Sequence, residues 1–256
     1  MEYIVLDIEF NGRKFASELP MEVIEIGAVR LDASLRNTGE FTAFVKPVYF
    51  ARLNSFIKEK TGITQEEIDA AQGFSTVISD FMEWLNESES LLFVTWGGED
   101  MKRIVFDTRM HQLDDTYWMT VPAYNLLKGY LKVTNQKNDV SVETALQELQ
   151  IPPAGSAHRA LDDARMTAEI FKSIFRKLDL KEAKPYQDTY SNAKERRMVK
   201  QAIRAMRVQK LAPDWDVLVQ KFLADKLSLD DPRKVAELQN LFQTEIAEKS
   251  PAKTSR

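Results

Sequence analysis

The feature that most constrains this chain is its first strand-like run, Tyr3-Ile4-Val5-Leu6-Asp7-Ile8-Glu9-Phe10. The apolar stretch before Asp7 is unbroken, as in a strand at the centre of a sheet covered on both faces. Yet the run carries two carboxylates two residues apart, and residues i and i+2 of a strand share a face. Two adjacent negative charges at the end of a buried strand are costly unless a cation neutralises them. A hard divalent ion with oxygen ligands would do so. The alternative is that both acids turn into solvent at a frayed strand end, and this pair alone leaves both readings open.

The rest of the chain supplies the frame for that strand. Strands are expected over residues 22–31, 41–46, 91–96 and 116–121, and helices over 51–60, 75–86, 122–131, 142–149 and 157–178. Thr64 and Glu67 form a capping box for a further short helix. Strands first and alternating helices and strands afterwards describe an α/β domain with a mixed sheet. The character changes near Asp179. From residue 181 to 210 there are nine Lys and Arg against three Asp and Glu, in a chain of net charge −4. Helices are expected over 193–211, with Arg197, Lys200, Arg204 and Arg207 sharing one face, and from Asp231-Pro232 to about residue 248. The expected organisation is therefore a domain at 1–179, a small all-helical extension at 180–249 and a disordered tail at 250–256.

Composition removes several classes of function. With no cysteine there is no disulfide, thiolate metal site or cysteine nucleophile, and a reducing compartment, the cytoplasm, is the expectation. No run of 18 apolar residues is present, and Met1-Glu2-Tyr3 lacks the basic start of a signal peptide. The mildly acidic total gives no global hint of nucleic-acid binding, so that role would need a local basic surface.

Further candidates lie far from the first strand. Asp100 follows an apolar strand and a Gly97-Gly98 turn. Asp163 lies in His158-Arg159-Ala160-Leu161-Asp162-Asp163, five residues after one of only two histidines. Four acids from three separated segments can converge on paired divalent ions that clamp a phosphoryl transfer. A histidine beside them can take a proton from attacking water.

These motifs resemble the DnaQ-like 3′–5′ exonucleases of the DEDDh type. Asp7-Ile8-Glu9-Phe10, Trp96-Gly97-Gly98-Glu99-Asp100 and His158 to Asp163 occur in order. Pro20-Met21-Glu22-Val23-Ile24-Glu25-Ile26-Gly27-Ala28-Val29 and Thr61-Gly62-Ile63-Thr64 fall between them with matching spacing. The resemblance covers residues 1–178 and is greatest to the enhanced-RNAi exonucleases and the KapD subgroup. It implies an RNase-H-like sheet flanked by helices and two divalent cations, Mg²⁺ or Mn²⁺. It also implies metal ligands at Asp7, Glu9, Asp100 and Asp163, and a general base at His158. The implied activity is release of nucleoside 5′-monophosphates from the 3′ end of single-stranded RNA or DNA. Phe10 would lie against the terminal base or sugar. Asn11 stands where relatives often have Thr and Lys60 where they have an apolar residue, so both are candidate substrate contacts. Trp96 and His111 are expected to be structural, and Glu25 is a candidate supporting group. Helix 193–211 is either a solvated face or a contact for backbone phosphates. The rival is a regulatory protein, of the sporulation-inhibitor type, that binds without cleaving.

Overall fold

The computed structural model describes residues 1–12, 21–153, 155, 158–224 and 226–247. The expected tail at 250–256, most of the loop at 13–20 and the helix start at Ala157 lie outside the described residues. The chain forms two compact units, Met1–Tyr186 and Gln187–Arg256. No helix among the described residues is long and apolar enough to cross a membrane.

In the first unit the order is β1 (Glu2–Asn11), β2 (Glu22–Leu31), β3 (Asn37–Lys46), α1 (Ser55–Thr61), α2 (Gln65–Ala70), β4 (Gln72–Gly73), α3 (Phe74–Leu85) and β5 (Leu91–Thr95). Then come α4 (Glu99–Met110), α5 (Thr116–Thr120), β6 (Pro122–Asn125), α6 (Leu126–Thr134), α7 (Val142–Glu148), α8 (Ala160–Ile174) and β7 (Lys184–Pro185). The strands form one mixed sheet in the order β4-β3-β2-β1-β5-β6-β7. β1 lies in the middle, antiparallel to β2 and parallel to β5. This is the RNase-H-like mixed sheet flanked by helices that the motifs imply. The first unit extends past residue 179 because β7 pairs with β6 and Tyr186 packs into the core.

The alternation of β1 sorts its residues between two cores. Ile4, Leu6 and Ile8 pack with Phe74, Phe81, Ile104 and Trp118 of α3, α4 and α5. Tyr3 and Val5 face the other way, onto Phe171 and Ile174 of α8 and Tyr130 of α6. Asp7 and Glu9 continue that second face. The cross-strand partner of Asp7 is Gly27, and that of Glu9 is Glu25. Gly27 sits under the first turn of α8: a Cβ there would lie 2.1 Å from the Leu161 nitrogen and 2.2 Å from the Ala160 carbonyl carbon. Only glycine lets this helix touch this strand.

Two expected elements exchange places. The strand expected over 116–121 is instead α5, Thr116–Thr120, with Trp118 packed against Phe81 and Phe93. Pro122 opens strand β6 rather than a helix, and the helix begins only at Leu126, capped by the Asn125 side chain.

In the second unit, α9 (Ala193–Val208) begins at a capping box made by Asn192 and Glu195. It packs with α10 (Trp215–Leu218), a following π-helical turn at Val219–Leu223, and α11 (Pro232–Ala247). The sequence gives little sign of α10, whose Trp215 and Leu218 are too few to show a helical period.

Gly27→Ala should destabilise the first unit by about 3 kcal/mol, since the new methyl meets helix backbone that cannot rotate aside. Urea unfolding of the two proteins measures it, and a difference within error would contradict the close contact described.

Candidate active site

The carboxyl-terminal ends of β1 and β5 open into a cleft of about 490 Å³. Its lining includes Asp7, Glu9, Asp100, His158 and Asp163, together with Phe10 and Lys60. All of the acids expected from the separated motifs therefore meet in one place. Asp7 and Glu9 arrive on one face of β1, and Asp100 in the first turn of α4 after the Gly97-Gly98 turn. Asp163 comes from the first turn of α8. Ligand atoms of Glu9, His158 and Asp163 all lie within 4.8 Å of one another.

The turn before α8 is held from two sides. His158 adopts a left-handed backbone (φ 65°), uncommon for a residue with a side chain. Its N–H donates to Asp163 Oδ2 at 3.0 Å. Glu25, buried on β2, accepts from Arg159 Nη2 at 3.0 Å and from the Ala160 N–H at 3.0 Å. The Arg159 guanidinium also stacks 5.2 Å from the Phe44 ring centre. Glu25 is thus a positioning group for His158 and Asp163. Asp162 instead binds Arg165 at 2.9 Å, so the choice of Asp163 over Asp162 follows from the helix geometry.

The electrostatics are those of crowded acids. Asp7 is pushed well above the ordinary carboxylate range, first by burial and then by Asp100, Asp163 and Glu9. Burial pushes Glu9 up to about 7, although Lys60 pulls the other way. It pushes Asp100 up to about 7 against hydrogen bonds from its own and the Ile8 N–H, and Asp163 up to about 6 against the bond from His158. His158 is lowered by burial and by Lys60, partly offset by Glu143. Burial and Lys60 thus favour the neutral imidazole, the form able to accept a proton. Asp163 Oδ1 is buried with no hydrogen-bond partner. An orphaned carboxylate oxygen among raised acids fits a set of oxygen donors for hard divalent cations.

Asn11 does not line the cleft. It is buried, its amide donating to the Phe50 and Arg52 carbonyls at 2.9 and 3.1 Å and its oxygen accepting from the Asn54 N–H at 3.0 Å. Its side chain is consumed in anchoring the segment that leads to α1, which corrects the expected substrate contact. That helix in turn carries Lys60 and Phe56 into the cleft wall, four residues apart on one face. Phe56, 61% exposed, was missed by sequence reasoning. An aromatic four residues before the candidate Lys60 was the available signal. Glu143 was also missed; its place in the wall depends on the packing of α7. Trp96 is only partly the core residue expected. It packs beside Tyr130 and bonds the Val140 carbonyl at 3.0 Å, while part of it lines the cleft. His111 stacks on Phe74 away from the cleft.

The model of the family described as Exonuclease (RNase T) matches residues 4–171. The chain belongs to this exonuclease family. Among its relatives, ERI1 exoribonuclease 2 of Xenopus laevis is 26% identical over 189 residues, 65% of this chain and 27% of the frog protein. The Bacillus subtilis protein named probable 3′–5′ exonuclease KapD is 26% identical over 178 residues, 67% of this chain and 83% of its own. The chain thus spans only about a third or less of the ERI1-type relatives. The nuclease domain of 3′hExo, a DEDDh family member solved bound to rAMP, superposes with a TM-score of 0.66 at 22% identity, covering 73% of this chain and 97% of that one. The fold is therefore that of the DEDDh exonucleases, and the family match ends before the second unit.

Because each of these carboxyls has a folded-state pKa above its unfolded one, the folded protein holds extra protons between the two values. Stability without metal should fall as pH rises from about 4 through about 7. Thermal unfolding in EDTA should show a lower Tm at about pH 7.5 than at about pH 5, and Mn²⁺ should raise Tm more at the higher pH, where fewer protons compete. Equal Mn²⁺ shifts at both pH values would contradict the assignment.

Proposed function

We propose that this protein is a divalent-cation-dependent 3′–5′ exonuclease acting on single-stranded nucleic acid and releasing nucleoside 5′-monophosphates. The observation that carries the reading is the convergence of Asp7, Glu9, Asp100 and Asp163 beside His158 in one cleft. The names of the relatives, an exoribonuclease and a probable 3′–5′ exonuclease, support it. So does the rAMP bound to a protein of the same fold.

The four carboxylates would hold the cations, two of them on the family's pattern and Mg²⁺ or Mn²⁺ by the hardness of the donors. Bound cations would offset the charge of the scissile phosphate and of the departing 3′ oxygen. The remaining work falls to the chain. Neutral His158 takes a proton from the attacking water, a task for which a depressed imidazole pKa is suited near neutrality. The Glu25–Arg159 pair keeps that ring and Asp163 in register. The Lys60 ammonium meets the phosphate backbone. Phe10, with Arg103 5.3 Å from its ring centre, and Phe56 offer apolar faces to the last bases, contacts that tolerate any sequence.

A time course on 5′-labelled single-stranded RNA and DNA tests this. Wild type with Mg²⁺ or Mn²⁺ should yield a ladder shortening from the 3′ end, abolished by EDTA. Asp7→Asn should lower the rate by at least about 10³-fold, the scale expected when a preorganised electrostatic group is lost. Cleavage at full rate by Asp7→Asn, or no cleavage of either strand by wild type, would overturn the proposal.

A further inference from the structure

The second unit carries a charge balance unlike that of the whole chain. Residues 187–256 hold 14 Lys and Arg against 10 Asp and Glu. The cations of α9 fall into two sets. Lys200 pairs with Glu245 at 2.7 Å, and Arg207 donates to the Glu245 carbonyl at 3.0 Å. Arg196 reaches Ser191 Oγ at 3.2 Å and Glu237 at 3.6 Å. These three tie the helix to its neighbours, through two ion pairs and a hydrogen bond to a carbonyl. Lys194, Arg197 and Arg204 are different: they are exposed and, among the described residues, pair with no acid. They lie three and seven residues apart on one stripe with exposed Gln201 between them. Arg197 and Arg204 are separated by two turns, about 10.5 Å along the axis.

Beside this stripe lies a second cavity of about 200 Å³. Its walls are Met198, Ala202 and Ala205 of α9 and Phe222 and Leu223 of the π-helical turn, with Gln201 and Lys226 also lining it. Two alanines on one side make it a slot. The π-helical turn across from them is a departure from regular helix of the kind often found at functional sites. An apolar slot edged by an amide and an ammonium, on a helix that also exposes Arg197 and Arg204, has chemistry complementary to an unpaired base attached to a phosphate backbone. Free cations alone would suit duplex or single strand equally. The slot selects the single strand, because only an unstacked base can enter it.

We propose that the second unit is a single-stranded nucleic-acid binding site of its own. Arg197, Arg204 and Lys226 meet backbone phosphates, and the slot over Phe222 and Met198 takes one base with Gln201 at its edge. The site lies outside the family match and does not rest on the nuclease reading.

The test uses the full chain carrying Asp7→Asn, in EDTA, so that no cleavage is needed or possible. Fluorescence anisotropy measures binding of labelled 20-nucleotide single-stranded RNA and DNA across a salt series. Adding Arg197→Ala and Arg204→Ala together should weaken binding about tenfold at ~0.1 M salt and reduce the slope of log K against log salt by about 1.4, two single-strand contacts. Gln201→Glu, which places a negative charge within the stripe and removes no packing, should weaken binding in the same direction. A duplex of equal length should bind several-fold less tightly than the single strand. Unchanged affinity and slope in both variants would overturn the proposal. So would equal binding of duplex, or competition by a poly-glutamate peptide as effective as that by unlabelled strand, since either result would leave the base slot without a role.

Discussion

The first turn of α8 lies directly on β2 at Gly27, and the cleft depends on that contact. Gly27 is the cross-strand partner of Asp7, so the missing side chain clears the space next to the acid pair. Through that gap the helix delivers Asp163 and His158 to the end of β1. Glu25, two residues back on the same face, then receives Arg159 and the Ala160 N–H. A glycine and a buried glutamate on one strand thus do most of the positioning for a turn on another element. The left-handed backbone at His158 is held by these bonds and by the one to Asp163.

What this arrangement brings together is unfavourable in itself. Carboxyls buried next to each other resist ionisation, which is why Asp7, Glu9, Asp100 and Asp163 all lie above their ordinary range. Such a cluster lowers the stability of the metal-free fold at neutral pH. Its presence in an otherwise well-packed core fits the proposed cation site, where function is kept at a cost in stability. Glu22, also buried, is consumed instead by backbone N–H groups of residues 48–50. Asp107 is likewise pushed up to about 7 by burial and keeps one buried oxygen without a partner among the described residues, its other oxygen accepting from the Val23 N–H. What sets the cleft acids apart is that they meet in one cavity, which Asp107 does not line.

Much of this was legible in the chain. The alternation of β1 places Asp7 and Glu9 on one face, and the resemblance to the DEDDh exonucleases, through the spacing from His158, implies Asp163 rather than its neighbour. The sheet and its flanking helices follow from strand runs that are apolar throughout. What escaped needed distances that no local pattern encodes. Asn11 adjoins the acid pair in sequence, yet its amide turns to carbonyls some forty residues on. A strand was expected at 116–121, but the segment is a helix whose Trp118 is buried against Phe81 and Phe93. The basic face of α9 is a single stripe on a helical wheel. Only the placement of α11 shows that Lys200 and Arg207 are spent on Glu245 while Arg197 and Arg204 pair with no acid among the described residues.

The proposed cation site is assembled from β1, α4 and α8. Calorimetric titration of the metal-stripped protein with Mn²⁺ near neutral pH tests it directly, in two buffers of different ionisation enthalpy so that proton release is counted. Saturable binding of two ions with release of protons from the raised carboxyls is expected, with loss of that binding in Asp163→Asn. Absence of saturable binding, or the same stoichiometry and proton release in the variant, would contradict it.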